Sequence, residues 1–344
     1  MRFRSCASHL DLFERPGKFF NMVSQLVQPK MFTISSRLSV AMLSAIRRLI
    51  LTKEISSMPD IPRLNGVIKA LEEGKTAFAA FTPVDTESAI AMASSSLDGI
   101  AFEMEHAPLD FPGLRQALQA MLDRRQIVEG KTLAPKVTPM VRIPPNGGEM
   151  NQWVAKQVLD IGVYGIIFPH VSTVEEAWNA VGACRYPRLK DAPLYNPPGI
   201  RGDAPARAAR YWGLAQQEYY SRADVWPLAP HGEILVIIQC EDTRGIDNLP
   251  RTLKEVPGIG VVLIGEGDLS QELGHPRDYD HPVVADAINS ILKICKEHNI
   301  PCGHPHPDAK NIERLVSSGY RFLMPTATRS FAVLDQGRKL SGRS

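Results

Sequence analysis

From Met58 onward the chain alternates short apolar runs with amphipathic stretches. Apolar residues at helical spacing predict helices over Asn65 to Glu73, Glu87 to Ser96, Phe111 to Asp123, Met150 to Ile161, Thr173 to Cys184 and Pro282 to His298. The Thr173 helix opens with Glu176 three residues on, the spacing of a capping box. Between the helices, β-rich or continuously apolar runs predict eight strands: Ala77 to Thr82, Gly99 to Glu105, Val137 to Ile143, Tyr164 to Phe168, Glu233 to Cys240, Val261 to Gly265, Ile300 to Gly303 and Tyr320 to Met324. Runs such as YGIIF and VVLIG have no polar alternation, which suits strands covered on both faces of a parallel sheet.

Repeated βα units in one stretch of this length predict a (β/α)8 TIM barrel or a doubly wound sheet. The nucleotide-binding versions lose ground, because neither GxGxxG nor GxxxxGK[ST] is present at the first βα turn. Three segments read as long loops: Gln126 to Lys136, the Pro-rich Tyr186 to Arg201, and the aromatic Ala208 to Pro230. The latter two are expected to leave the carboxyl end of the fourth strand, the active-site face of a barrel.

Composition changes little for the body of the chain and much for its start. The 344 residues are 44% hydrophobic and 22% charged, with a net charge of +2, which argues against nucleic-acid binding by bulk charge. No apolar run reaches the roughly 18–20 residues of a membrane span. Five cysteines without a CxxC pair point to a reducing compartment, and a cytoplasmic location is expected. Residues 1–57 hold nine Lys/Arg against three Asp/Glu, while the remainder holds 30 against 34. This Arg- and Ser-rich start reads as an extension ahead of a natural start at Met58, with an organelle transit peptide as the alternative. A single catalytic domain is expected over 58–344.

Polar residues gather where the predicted strands end: Glu103, Glu105 and His106; Arg142; Gln239 and Glu241; and Asp268 after the Gly265-Glu266-Gly267 turn. Charges at such buried ends are costly unless paired or bound to metal. Glu241 and Asp268 stand 27 residues apart, one barrel repeat, so they would end neighbouring strands. Two carboxylates with open positions suit Mg²⁺ or Mn²⁺, although loop acids or helix caps fit the same spacing. Arg142 reads either as a surface arginine or as a fixed fork for an anionic oxygen, and His106 as a structural or a catalytic imidazole. His170, His304 and His306 read as structural.

At these residues the chain resembles the HpcH/HpaI aldolases, the class II pyruvate aldolases, from about residue 62 to 338. The resemblance is carried by FEMEHAPLD (102–110), MVRIP (140–144), LDIGVYGIIFPHV (159–171), EEAWNAVGACRYP (175–187), GIRG (199–202), IIQCE (237–241) and VPGIGVVLIGEGDLS (256–270). It implies a phosphoenolpyruvate/pyruvate-type (β/α)8 barrel, assembled as a hexamer or another dimer-based homo-oligomer with exchange of the last helix. It implies reversible aldol cleavage of a 4-hydroxy-2-oxo acid to pyruvate and an aldehyde, through an enolate stabilised by Mg²⁺, Mn²⁺ or Co²⁺. Glu241 and Asp268 match the metal carboxylates, Arg142 the arginine facing the ketone oxygen, and His106 the general base. Asp160 matches an acid reaching a neighbouring subunit's site, Gln239 a lining amide, and the Gly267 and Asp268 N–H groups a carboxylate cradle. Two departures stand out: Glu103 replaces the usual Asp partner of the histidine, and Glu266 replaces a proline, adding a third carboxylate beside the metal pair. Oxaloacetate decarboxylation, CoA-ester cleavage and non-catalytic 2-oxo-acid binding are the alternatives on the same site.

Overall fold

A computed structural model describes residues 61–145, 150, 152–325 and 332–343; the segment 1–57 lies outside them. The elements run α1 (Gly66–Glu72), β1 (Ala77–Thr82), α2 (Thr86–Ala93), β2 (Gly99–Glu103), α3 (Phe111–Ala120), α4 (Arg124–Gly130), β3 (Thr138–Arg142), α5 (Gln152–Ile161), β4 (Gly165–Phe168) and α6 (Val174–Ala183). They continue with α7 (Ala206–Trp212), α8 (Gln216–Arg222), β5 (Val225–Trp226), β6 (Ile234–Cys240), α9 (Thr243–Glu255), β7 (Val261–Ile264) and α10 (Glu266–Glu272). The last are α11 (Pro282–Glu297), β8 (Cys302–Pro305), α12 (Ile312–Ser317), β9 (Phe322–Met324) and α13 (Ala332–Leu340).

All strand pairs are parallel, in the order β4-β3-β2-β1-β9-β8-β7-β6, and β4 closes on β6 through the register Gly165↔Leu235 to Phe168↔Ile238. The result is an eight-stranded barrel wrapped by helices, with β5 adding a two-residue stub beside the start of β6. Each of the eight barrel strands overlaps one of the eight predicted runs, β8 lying two residues later than Ile300 to Gly303, and the Thr173/Glu176 capping box forms.

Strand alternation divides the core into two layers. Ala77, Ala79, Ala101, Met140, Ile167, Leu235, Ile237, Val261, Leu263, Phe322 and Met324 fill the barrel interior. Their sequence neighbours, such as Phe78, Phe102, Val141, Phe168, Val236, Val262 and Leu323, face the surrounding helices. The amino end of the barrel is plugged by α1, whose Val67, Ile68, Ala70 and Leu71 join the interior layer. Asn65 fixes that plug. Its Oδ1 accepts from the Val67 and Ile68 N–H groups at 3.0 and 3.1 Å, and its Nδ2 donates to the carbonyls of Tyr164 and Glu233 at 3.0 and 3.1 Å.

The long segments differ from expectation. Residues 126–130 belong to helix α4, and 208–230 contain most of α7, all of α8 and β5. Their aromatic residues earn helical packing: Trp212 stacks on Tyr164 at 4.3 Å and meets Tyr219 edge-on at 4.8 Å. The Pro-rich stretch and the helices after it lie between α6 and β6. They therefore sit at the amino end of the barrel and not at the carboxyl end of β4. Ion pairs tie them there: Asp224 to Arg185 at 2.7 Å, and Arg222 to Glu233, whose carboxylate also accepts the Leu64 and Asn65 N–H groups.

The final helix packs on its own barrel, Gly337 lying against Phe78 and Ile312. No helix among the described residues is long and apolar enough to cross a membrane.

Candidate active site

The inward register of the strands, continued past their carboxyl ends, assembles the polar cluster. On β2 the inward Ala101 is followed at i+2 and i+4 by Glu103 and Glu105. On β3 the inward Met140 is followed by Arg142. On β6 the inward Leu235 and Ile237 are followed by Gln239 and Glu241. These side chains consequently meet at one mouth, which the pairing Glu103↔Arg142 makes explicit.

Arg142 is the hub on one side. Its Nε donates to Glu103 Oε2 at 2.8 Å and its Nη2 shares the same oxygen. Its Nη1 lies 2.9 Å from Glu105 Oε2, and its guanidinium sits 4.4 Å over the Phe81 ring. The second oxygen of Glu103 accepts the backbone N–H groups of Glu105 and His106 at 2.7 and 3.1 Å. Glu103 thus uses its extra methylene to grip the arginine and the backbone of the β2 turn, not the imidazole of His106. That imidazole, exposed, lies 3.5 Å from Glu105 Oε2.

Glu241 is the hub on the other side. It is buried, accepts from the His170 N–H at 2.5 Å through Oε1, and accepts from Gln239 Nε2 through Oε2. His170 follows β4 in a left-handed conformation (φ 52°), unusual for a residue with a Cβ and frequent at functional sites. Its ring nitrogens lie 3.5 Å from Glu241 Oε1 and 3.7 Å from Glu105 Oε1. Burial pushes the Glu241 carboxyl up to about 8; its two hydrogen bonds oppose the shift, and the charges of Glu105 and Asp268 add to it. Burial likewise raises Glu105, against the pull of Arg142.

Glu105, His170 and Glu241 form a group able to hold a metal ion, with one ligand atom from each within 4.8 Å of the others. The residues fit a divalent cation on two further observations. Gln239 Oε1 is a buried acceptor with no hydrogen-bond donor. The carboxyls also sit where burial disfavours the ionised form unless a positive charge joins them.

Two of these three residues were not singled out as ligands. Glu105 carries an inward signal, two residues after Glu103, whereas His170 is placed by a φ that no sequence pattern announces. Asp268, in the first turn of α10, is exposed and outside the group, yet near enough for its charge to act on Glu241. Gly265 packs so tightly on Glu241 and Gln239 that a Cβ there would collide with both, while the corresponding position of Gly267 is open. Glu266 is not a free carboxylate beside the pair. It is buried and held by His304 and His306. Asp160 ends α5 at the opposite side of the barrel, paired with Arg201 at 3.0 Å and Lys156 at 3.5 Å, away from the other candidates.

Residues 78–326 match the family model described as HpcH/HpaI aldolase/citrate lyase. A 5-keto-4-deoxy-D-glucarate aldolase of Salmonella newport is 30% identical over 242 residues, covering 70% of this chain and 80% of the relative. A solved HpcH/HpaI aldolase/citrate lyase family protein from Burkholderia cenocepacia superposes with a TM-score of 0.63 at 25% identity, covering 81% of this chain and 98% of that one. The fold is also that of an HpcH/HpaI aldolase from Desulfitobacterium hafniense, with a TM-score of 0.60 at 20% identity over 79% and 93% of the two chains. A mouth built from Glu105, Arg142, His170 and Glu241 on a parallel barrel and a family match across most of the chain agree: the protein belongs to the HpcH/HpaI aldolase/citrate lyase family.

Proposed function

We propose that this protein is a divalent-metal-dependent lyase that reversibly cleaves a 4-hydroxy-2-oxo acid into pyruvate and an aldehyde. The observation that carries the reading is the meeting of Arg142, His106 and the Glu105–His170–Glu241 group at the carboxyl ends of β2, β3, β4 and β6. Glu241 is proposed to hold the cation with Asp268, as the family resemblance implies, and Glu105 and His170 stand within ligand reach of the same ion. A cation bound there supplies Lewis-acid polarisation of the 2-oxo acid.

The chain's own residues do the rest. Arg142, always charged, donates to the ketone oxygen as negative charge develops on it. Glu103 holds the planar guanidinium in one orientation, so that no reorganisation is needed at the moment of reaction. His106, exposed at the mouth, takes the proton of the 4-hydroxyl as the C3–C4 bond breaks and the electron pair passes to the pyruvate fragment. Gln239 orients Glu241. The open position at Gly267 leaves its N–H and that of Asp268 approachable by the substrate carboxylate. Asp160 faces away from this chain's own mouth, so a catalytic part for it is one played toward a neighbouring subunit of a homo-oligomer.

The decisive experiment is exchange of the pyruvate C3 protons in deuterated water, together with pyruvate formation from 4-hydroxy-2-oxo acids, each with Mg²⁺, Mn²⁺ or Co²⁺ and with chelator. Both activities are expected to need the metal and to vanish in Glu241→Ala and Asp268→Ala. Turnover that survives chelation, or survives in Glu241→Ala, refutes the scheme.

A further inference from the structure

Glu266 follows Gly265 at the end of β7 and is buried between two imidazoles. His304 Nε2 stands 3.3 Å from one carboxylate oxygen and His306 Nδ1 2.8 Å from the other. His304 is itself buried, with Nδ1 on the Pro305 carbonyl and its ring edge-on to Tyr320 at 5.2 Å. It continues the helix-facing register of Cys302 and forms the back wall of the cluster.

His306 is different. Its side chain is 55% exposed, and its backbone is left-handed (φ 61°), held by its N–H on the Met324 carbonyl at 3.1 Å and by Asn311 Nδ2 on its own carbonyl at 3.4 Å. The chain therefore maintains a conformation unfavourable to any residue with a Cβ at the point where this imidazole meets Glu266.

The cluster adjoins the candidate active site. Glu241, Asp268 and His306 follow β6, β7 and β8, three neighbouring strands, at the same barrel end. Gly265 bridges them, in contact with Glu241 on one side and bonded to Glu266 on the other.

The polar groups suited to the 2-oxo acid come from β2, β3, β4, β6 and the start of α10 after β7, which leaves the rim after β8 for the remainder of the substrate. Because Nδ1 of His306 is committed to the Glu266 carboxylate, Nε2 is the ring nitrogen left to hydrogen-bond a ligand.

Resting on the aldolase reading above, we propose that His306, oriented by Glu266, hydrogen-bonds a hydroxyl group on the aldehyde part of the substrate. It thereby selects hydroxylated over plain alkyl aldehydes. His306 is the specificity-determining residue, and Glu266 positions it.

The test compares kcat/KM for glycolaldehyde and for acetaldehyde in metal-loaded aldol addition to pyruvate. His306→Asn suits the site because asparagine tolerates the left-handed backbone. It is expected to lower the glycolaldehyde-to-acetaldehyde ratio about tenfold, chiefly through a higher KM for glycolaldehyde. Glu266→Gln, of the same shape, is expected to lower the ratio by less. Acetaldehyde turnover in the same variant reports an intact barrel, and an unchanged ratio then overturns the assignment. If His306→Asn loses both rates, the Glu266→Gln ratio decides: a fall supports the assignment and no change overturns it. A wild-type enzyme that neither exchanges pyruvate protons nor uses either aldehyde instead refutes the aldolase reading itself.

Discussion

The buried carboxyl of Glu241 makes the metal-free protein sensitive to pH in a calculable way. Its ordinary value is 4.5 and burial lifts it to about 8, so folding favours the protonated form. The stabilising contribution is complete below pH 4.5 and is lost as the pH rises through 8. Linkage across that window puts the loss between pH 5 and pH 8 at about 3–4 kcal/mol for this one group. Other groups titrate over the same range, so the useful quantity is a difference between proteins. Glu241→Gln keeps the shape and the acceptor for the His170 N–H but cannot ionise. In urea denaturation with chelator, the variant is expected to gain on wild type by about that amount between pH 5 and pH 8. Metal reverses the comparison, because a cation must displace the Glu241 proton to bind. Wild-type affinity is expected to rise roughly 50-fold from pH 6 to pH 8 and to level off above it. Metal-free stabilities of wild type and variant that run parallel from pH 5 to pH 8 would refute the reasoning, because the burial argument leaves no room for that result.

Three further outcomes follow from the geometry. His170→Ala removes the only nitrogen donor from the metal-capable group, and isothermal titration should show affinity for Mn²⁺ and Co²⁺ falling more than affinity for Mg²⁺. Glu103→Gln removes one of the two charged partners of Arg142 while keeping its length; kcat is expected to drop about tenfold, measured under metal saturation. Asn65→Ala strips a helix cap and leaves the buried Tyr164 and Glu233 carbonyls without its donor, and a loss of about 3 kcal/mol is expected in urea denaturation.

The barrel was legible because its signals are local and redundant. Eight apolar runs mark eight covered strands, and the capping box at Thr173 announces α6 from four residues. The polar mouth was legible where a polar residue continues an inward register, as Glu103, Arg142, Gln239 and Glu241 do. It was less so where the placement depends on backbone geometry. His170 and His306 both follow a strand with positive φ, and nothing in FPHVS or HPHPD shows that the chain turns each ring onto a buried carboxylate. The stretch read as two loops, Tyr186 to Arg201 and Ala208 to Pro230, was misplaced for a related reason. Its prolines and aromatics read as loop, although Tyr164, Trp212 and Tyr219 make it a packed layer under the barrel, a contact separated by some fifty residues of chain.

Charge balance at the mouth gives the order in which ligands must bind. Glu103, Glu105, Glu241 and Asp268 gather at the mouth, and two edges of the Arg142 guanidinium are already taken by Glu103 and Glu105. A 2-oxo acid brings one more negative charge into this space, where burial has already driven two carboxyls toward protonation. The repulsion is not screened as it would be on the surface, because Glu105 and Glu241 are removed from solvent. Without a cation the substrate therefore meets a mouth dominated by carboxyls, and a divalent cation, which displaces the Glu241 proton as it binds, adds net positive charge at the centre of the cluster. Pyruvate is accordingly expected to bind at least a hundredfold more weakly to the chelated enzyme than to the Mn²⁺ form, on the order of 3 kcal/mol. Calorimetric titration of pyruvate into both forms measures the difference directly. Equal affinities would mean that Arg142 alone recognises the acid, and that the carboxylates around it have another purpose than holding a metal.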